Sequence, residues 1–493
     1  MKLAYKVAGY LKYYLLPVLI ALYIFGTVYI LVNKRPFFYV YNMLPLAAFI
    51  IYTAIFHLQK LVFFLAFCTP LAISLKEMGL TEGPDLSIPT EPIMIGMMLL
   101  YMLNQLHTGI SDKKFIHHPL TQIIFLQLAW MLFTSFTSTD VVVSLKYFAS
   151  HLWFIFSCYL IMPHLFQNKK NIVTFALCYA VALLFVVFYT LARHAGYNFN
   201  DKAADWVVDP FYNDHTAYGA ALAMFIPLLL SFTFLKFVSK SVKLLSLFLF
   251  LMFMLAIILS FARAGWLSLS VAIAVFVTLL FKIKFRTVVL TIAVLGGLFF
   301  SFQTEILIAL GRNNTDAEGS FGNNLESVSN ISTDASNLER LNRWSCAIRM
   351  WRDKPLLGWG PGTYMFKYAP YQLSREWTII STNFGTNGNA HSEYLGPLAE
   401  QGIMGILIVI ALLIYSFSLG YRLVYSVEGG DTKILTMGLF LGLVTYFVHG
   451  FLNNFLDTDK LSLPFWGFLA ALVTIDLYYG KKKKLLKSGG PIL

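Results

Sequence analysis

The sequence predicts an all-α fold: a polytopic transmembrane helical bundle of about 12–14 spans, interrupted by one large polar loop. Three observations point to it. Of 493 residues 58% are hydrophobic and only 13% charged, more apolar surface than a soluble domain can hide from water. Apolar runs near the ~20 residues that span a bilayer recur along the chain. The Lys and Arg residues concentrate in alternate short connectors, as topology signals do.

The runs lie near 13–32, 37–56, 59–75, 91–110, 119–138, 141–165, 171–193, 214–236, 242–262, 264–281, 286–308, 402–421, 433–452 and 461–480. Run 59–75 is short and broken by Pro70, and 141–165 carries Lys146 and His151. Met1 to Lys12 is a basic flank with no small-residue cleavage site, so the first run is expected to stay as a helix. With that flank inside, 21 of the 37 Lys and Arg fall in inside segments and 8 in short outside loops. Both termini are therefore expected in the cytoplasm and the long loop on the outer face.

The net charge of +12 is scattered over connectors and forms no stripe, which argues against a nucleic-acid partner and for a membrane setting. Cys68, Cys158 and Cys178 lie in apolar runs and Cys346 stands alone in the loop; no spacing suggests a metal site or a disulfide framework.

Composition divides the chain into N-terminal transmembrane helices (1–193), a second helical region (194–308), the large outer loop (309–400), C-terminal helices (401–480) and a basic tail (481–493). Residues 194–214 hold Asp201, Asp205, Asp209 and Asp214 with Trp206 and Phe211. Within the large loop, Arg312 to Ser332 is rich in Asn, Ser and Gly and is expected to be irregular. Ser336 and Glu339 have capping-box spacing and start a predicted helix. Leu338, Leu341, Trp344, Ile348 and Trp351 then follow at helical spacing, with Arg340, Arg343, Arg349 and Arg352 on the flanks, a pattern suited to the membrane–water interface. Pro355, Gly358, Gly360, Pro361 and Gly362 end it in a turn.

Four places could carry chemistry. Arg263 lies between two spans with almost no connecting loop, where a charge is costly unless it faces a partner, snorkels to headgroups or binds an anion. Its guanidinium fork matches phosphate oxygens. His391, in Asn387-Gly-Asn-Ala-His391-Ser-Glu-Tyr394, stands at the mouth of a span, and an ordinary imidazole (pKa ~6.5) serves as a general base near neutral pH. An interfacial His bonded to a backbone carbonyl is the bland alternative. His215, with Asn213 and Asp214 beside it, has a similar place before its own span, and His449 lies within a span near Asn453 and Asn454. The residues by themselves suggest an outer-leaflet cavity of Arg and His for a phosphate-bearing lipid.

Taken in order, Ser260-Phe-Ala-Arg263-Ala-Gly-Trp266, Glu339-Arg340-Leu-Asn-Arg-Trp344, Asp353-Lys-Pro355-Leu-Leu-Gly358-Trp-Gly360-Pro-Gly362, Ala390-His391-Ser-Glu-Tyr394 and His449-Gly-Phe-Leu-Asn453 resemble the bacterial O-antigen ligase superfamily. The resemblance runs from about Asn213 to Trp466. It implies an inverting, metal-independent glycosyltransferase of the bacterial inner membrane that needs no cofactor. The donor it implies is a polyprenyl-diphosphate-linked glycan, with His391 as base and Arg263 and Arg340 on the diphosphate. Arg343, His215, Asn213, Glu393, Tyr394 and His449 are possible supporting residues. Where the family often has Asn after the His, this chain has Ser392. The expected acceptor is lipid A-core; polymerisation onto a second lipid-linked repeat and transfer to protein Ser or Thr share these motifs. A lipid-linked glycan transporter is the reading from a different class, but no internal repeat supports it.

Overall fold

Three of the helices illustrate why this sequence folds where it does. Asp140, Asp214 and Ser239 each precede an apolar run, and each side chain accepts a backbone N–H of the first helical turn, from Val143, Ala217 and Val242. Such caps satisfy donors that a helix leaves unpaired. A computed structural model describes residues 16–33, 38–42, 44–79, 86–109, 112–284, 286–287, 290, 335–376, 381 and 388–480. The expected irregular stretch 312–332, most of run 286–308, Asn387 and the basic tail lie outside the described residues.

The chain divides into two units, 1–62 and 63–493. The first contains α1 (Leu16–Asn33), α2 (Phe38–Asn42) and α3 (Leu44–Phe56). There Tyr23 stacks on Tyr41 with ring centroids 5.3 Å apart, and its hydroxyl donates to Asn42 Oδ1 at 2.7 Å. Helix α4 (Leu58–Cys68) ends at the Pro70 turn, so the apolar run 59–75 does not continue as helix.

The second unit continues with the two-stranded antiparallel pair β1 (Ile73–Ser74) and β2 (Ser87–Ile88), then α5 (Thr90–Thr108), α6 (Pro119–Phe136), α7 (Val141–Ile155) and α8 (Lys169–Ala195). Next come α9 (His215–Phe234), α10 (Lys240–Leu259), α11 (Arg263–Leu280), α12 (Ala335–Asp353), α13 (Leu395–Ser426), α14 (Gly430–His449) and α15 (Asp459–Tyr479). Among the described residues nine helices are long and apolar enough to cross a membrane: α6, α7 with its extension to Phe166, α8 to α11, and α13 to α15. The chain is an all-α, multi-pass membrane protein.

The core of the second unit is α9, which packs most extensively against α14 and then α10, while α11 also lies on α14. Small residues set these approaches: a Cβ on Gly442 would stand 2.5 Å from the Met224 carbonyl oxygen, and one on Gly438 2.3 Å from Ser231 Oγ. α6 and α12 both pack on α13.

α12 presents a largely polar inner side to the rest of the unit. Its buried side holds Glu339, Asn342, Arg343, Cys346, Ala347 and Met350, while Leu341 and Ile348 are exposed. Polar groups can take the inner side because they find one another there: Arg343 Nε donates to Glu339 Oε1 at 2.6 Å, and Asn342 Nδ2 to Gln372 Oε1 at 3.0 Å. Ser381 also donates to Glu339; the side chain of Ser336, the other half of the expected capping box, lies outside the described residues.

Candidate active site

The Gly/Pro turn that follows α12 is what holds that helix in place. α13 is broken at Gly402, whose φ of 69° leaves the helical region. Two of the carbonyls before the break are taken by the turn, Ala399 O by Trp359 N (3.1 Å) and Glu400 O by Gly360 N (2.8 Å). Trp130 Nε1 takes Gln401 O at 3.0 Å, and Ile403 N returns a bond to Pro355 O at 2.9 Å. The Glu400 carboxylate reaches back to accept Tyr364 N–H at 2.9 Å. The motif 353–362 and the segment 398–402 are therefore two halves of one contact. Gly358 must be glycine twice over, with φ 69° and no room for a Cβ, which would stand 2.3 Å from the Glu400 carbonyl carbon.

His391 lies just before α13 in a left-handed backbone conformation, φ 47°, which is uncommon for a non-glycine residue and worth noting at a functional position. Its N–H donates to Asn389 Oδ1 at 3.0 Å, and its carbonyl accepts Trp344 Nε1–H at 3.3 Å. Burial, followed by the charges of Arg340 and Arg343, lowers the imidazole to about 4, with Asp214 and Glu339 acting in the opposite direction. At neutral pH the ring is uncharged and has a lone pair to accept a proton.

Arg340 sits one helical turn before Trp344. Its Nε donates to Leu452 O at 3.2 Å, joining α12 to the segment after α14. His449 ends α14, fully buried, with Asn453 Nδ2 3.2 Å from its Nε2. The Ala264 backbone, next to Arg263, approaches His449, although Nδ1 makes no hydrogen bond of good geometry; Asp214, Arg340 and His215 are close enough for their charges to act on it. His215 Nδ1 stands 2.5 Å from Asp205 Oδ1. His391, Arg340, Asp214, His215 and His449, drawn from four separate parts of the sequence, thus gather at one end of the bundle.

Arg263 opens α11 after a tight turn in which Phe261 takes φ 52°. Ser260 Oγ accepts Ala262 N–H at 3.3 Å and Trp266 Nε1 donates to Ile257 O at 2.8 Å, so the motif's Ser and Trp build the turn. A Cβ on Gly219 would meet Ala262 Cβ at 2.4 Å, and this close approach brings the Arg263 turn onto the start of α9 beside His215.

The other sequence candidates hold the scaffold. Arg343 is buried, ion-paired to Glu339 and stacked 4.0 Å from the Tyr368 ring centroid. Tyr394 donates to Phe447 O at 2.8 Å. Glu393 Oε1 accepts Tyr446 hydroxyl (2.6 Å), Phe455 N–H (2.8 Å) and Leu456 N–H (3.0 Å), which locks the His391 segment onto the end of α14. Burial first, then the charge of Asp457, raises the Glu393 carboxyl above the ordinary range. Ser392 accepts the N–H groups of Tyr394 (3.3 Å) and Leu395 (3.4 Å) at the entry to α13. Asn213 is exposed, one residue before Asp214. Tyr446 and Asp457 drew no attention in the sequence: a Tyr in an apolar run reads as core, and Asp457 reads as loop. Among the described residues no group of three His, Cys, Asp or Glu side chains is placed to hold a metal ion.

Residues 247–410 match the family described as O-antigen ligase. The matched span contains Arg263, Arg340 and His391, begins after His215 and stops before His449. No curated protein matches the chain.

Proposed function

From a chain whose residues 247–410 carry the O-antigen ligase family match, we propose a membrane glycosyltransferase that moves a glycan from a polyprenyl diphosphate to an acceptor hydroxyl. The observation that supports it is the buried His391 within reach of the Arg340 charge, with Arg340 itself held by Leu452 O just after His449.

In this reading Arg263 and Arg340 hold the donor's diphosphate by charge-assisted hydrogen bonds. An imidazole nitrogen of His391 takes the proton of the acceptor hydroxyl as its oxygen attacks the anomeric carbon. The bond from that carbon to the diphosphate oxygen breaks on the opposite face, and the electron pair leaves with polyprenyl diphosphate. The configuration inverts. The arginines stabilise charge that grows on the leaving group, the kind of interaction that strengthens toward the transition state. The imidazolium then returns its proton to water. No group other than these side chains is required for the proton and charge balance.

We place this chemistry on the outer face of the inner membrane, with both termini in the cytoplasm and lipid A-core as the acceptor. Transfer in detergent from a polyprenyl-diphosphate glycan tests it, with lipid A-core, a second donor and a Ser/Thr peptide offered in parallel. Product on lipid A-core that disappears with His391→Ala supports the ligase. Product on another acceptor moves the assignment to polymerase or protein O-oligosaccharyltransferase, and unchanged turnover by His391→Ala overturns the base.

A further inference from the structure

His449 is a buried side chain that no step of the transfer uses. It ends α14 and is 1% exposed. Its backbone carbonyl accepts the N–H groups of Leu452 at 2.9 Å and Asn453 at 3.1 Å, which folds the chain after α14 into a compact turn. The Leu452 carbonyl of that turn is the one that receives Arg340 Nε. The seat of Arg340 is therefore built on His449.

The imidazole serves the other arginine. Asn453, itself 3% exposed, places its Nδ2 3.2 Å from His449 Nε2. An amide nitrogen only donates, so Nε2 accepts and the ring's proton sits on Nδ1. Nδ1 is buried and completes no hydrogen bond of good geometry, and the backbone that approaches the ring is that of Ala264. Ala264 follows Arg263 in the first turn of α11, the helix that lies along α14. The Phe455 ring, with its centroid 5.7 Å away, packs beside the imidazole. One ring, oriented by Asn453, thus stands between the turn that carries Arg263 and the turn that seats Arg340.

Spacing is what a diphosphate senses. Each guanidinium offers its donors in a fixed fork that suits one phosphoryl group. A diphosphate engages both arginines at once, and the second contact counts only where the geometry lets both form together. A monophosphate has a single phosphoryl group and gains far less from the spacing.

We propose that His449 is a positioning residue that holds Arg263 and Arg340 at the separation of a diphosphate, and so sets the preference of the site for a diphosphate carrier over a monophosphate one. The proposal rests on the reading of the two arginines given above. His449 acts through them and touches neither phosphate nor sugar.

Binding without turnover provides the test. Farnesyl diphosphate and farnesyl monophosphate carry no glycan to transfer. Their affinities for the full chain in detergent are measured by isothermal titration calorimetry, with thermal unfolding as the fold check. Wild type is expected to prefer the diphosphate, and Arg263→Ala and Arg340→Ala to lose that preference. His449→Phe keeps a buried ring and removes both nitrogens. It should weaken the diphosphate by ~10–100-fold, the scale of a small misplacement of binding groups, and leave the monophosphate within about twofold. His449→Gln still accepts from Asn453 and should recover most of the preference. Asn453→Leu removes the same bond from its other end and should reproduce His449→Phe, which keeps the test decisive should the Phe variant not fold. Equal affinity of wild type for the two ligands overturns the diphosphate reading of the arginines and this proposal with it. A preference that needs both arginines yet survives in His449→Phe and Asn453→Leu overturns the role of His449 alone. So does equal weakening of both ligands, the mark of a residue that only holds the fold.

Discussion

Arg340 Nε donates to the carbonyl oxygen of Leu452 at 3.2 Å, a bond between residues 112 positions apart that ties α12 to the segment following His449. It sets the plane of the guanidinium beside His391. An arginine in this position both anchors the backbone and presents further donors in fixed directions, which a lysine does not reproduce.

Arg340→Lys is therefore expected to lower transfer at least tenfold, and Arg340→Ala by ~10²–10³, the usual range for removing a preorganised charge-stabilising donor. Initial rates at saturating donor, with thermal unfolding as a fold check, provide the test. Lysine activity equal to wild type would mean that only the charge matters.

His391→Ala should reduce transfer by ~10²–10⁴, the typical contribution of a positioned base. The pH profile carries a sharper expectation. With the imidazole lowered to about 4 by burial and by Arg340 and Arg343, the free enzyme keeps its base form down to that pH, so kcat/KM should fall only below it. Bound diphosphate brings negative charge next to the ring and favours the imidazolium, so the acid limb of kcat should lie at higher pH than that of kcat/KM. Coincident limbs would argue that the diphosphate does not bind near His391.

The Arg343–Glu339 pair is expected to act on stability rather than on chemistry. Both side chains are buried, at 4% and 6% exposed, so Arg343→Ala, which removes one partner of the pair, should cost about 3–5 kcal/mol. Replacing both, Arg343→Met with Glu339→Leu, should recover most of the loss in thermal unfolding. A double variant no better than Arg343→Ala would assign the arginine to substrate instead. Gly388→Ala reaches the same place from the other side, because its Cβ would stand 1.6 Å from an Arg343 guanidinium nitrogen. It should unfold at lower temperature than wild type.

Gly402→Ala is expected to be more damaging than any neighbouring substitution. The residue has φ 69°, and a Cβ there would lie 2.2 Å from the Leu356 carbonyl oxygen, a backbone atom that cannot rotate away. Loss of folded protein by size-exclusion chromatography is the predicted outcome, compared with Gly430→Ala, where a Cβ meets open space. Equal yields of the two variants would remove the break in α13 from its role in seating the Gly/Pro turn.

The sequence by itself determined the class of molecule and the location of most of its described long helices. Runs of apolar residues near the length of a bilayer have one low-energy solution, because a lipid-facing backbone must satisfy its own hydrogen bonds. Arg263 stood out as a candidate because a charge at a span boundary is costly, whereas Arg340 and His391 were singled out by the motifs that contain them. The neighbours of His391 were not legible. The approach of Asp214 to His391, and the Tyr446–Glu393 clasp, join residues tens to hundreds of positions apart, and no local pattern encodes such a pairing. Hydrophobic spacing did not say which side of α12 turns inward. Spacing records how apolar each face is, whereas burial was decided by whether Arg343, Glu339, Asn342 and Gln372 could satisfy one another once the chain had closed around them.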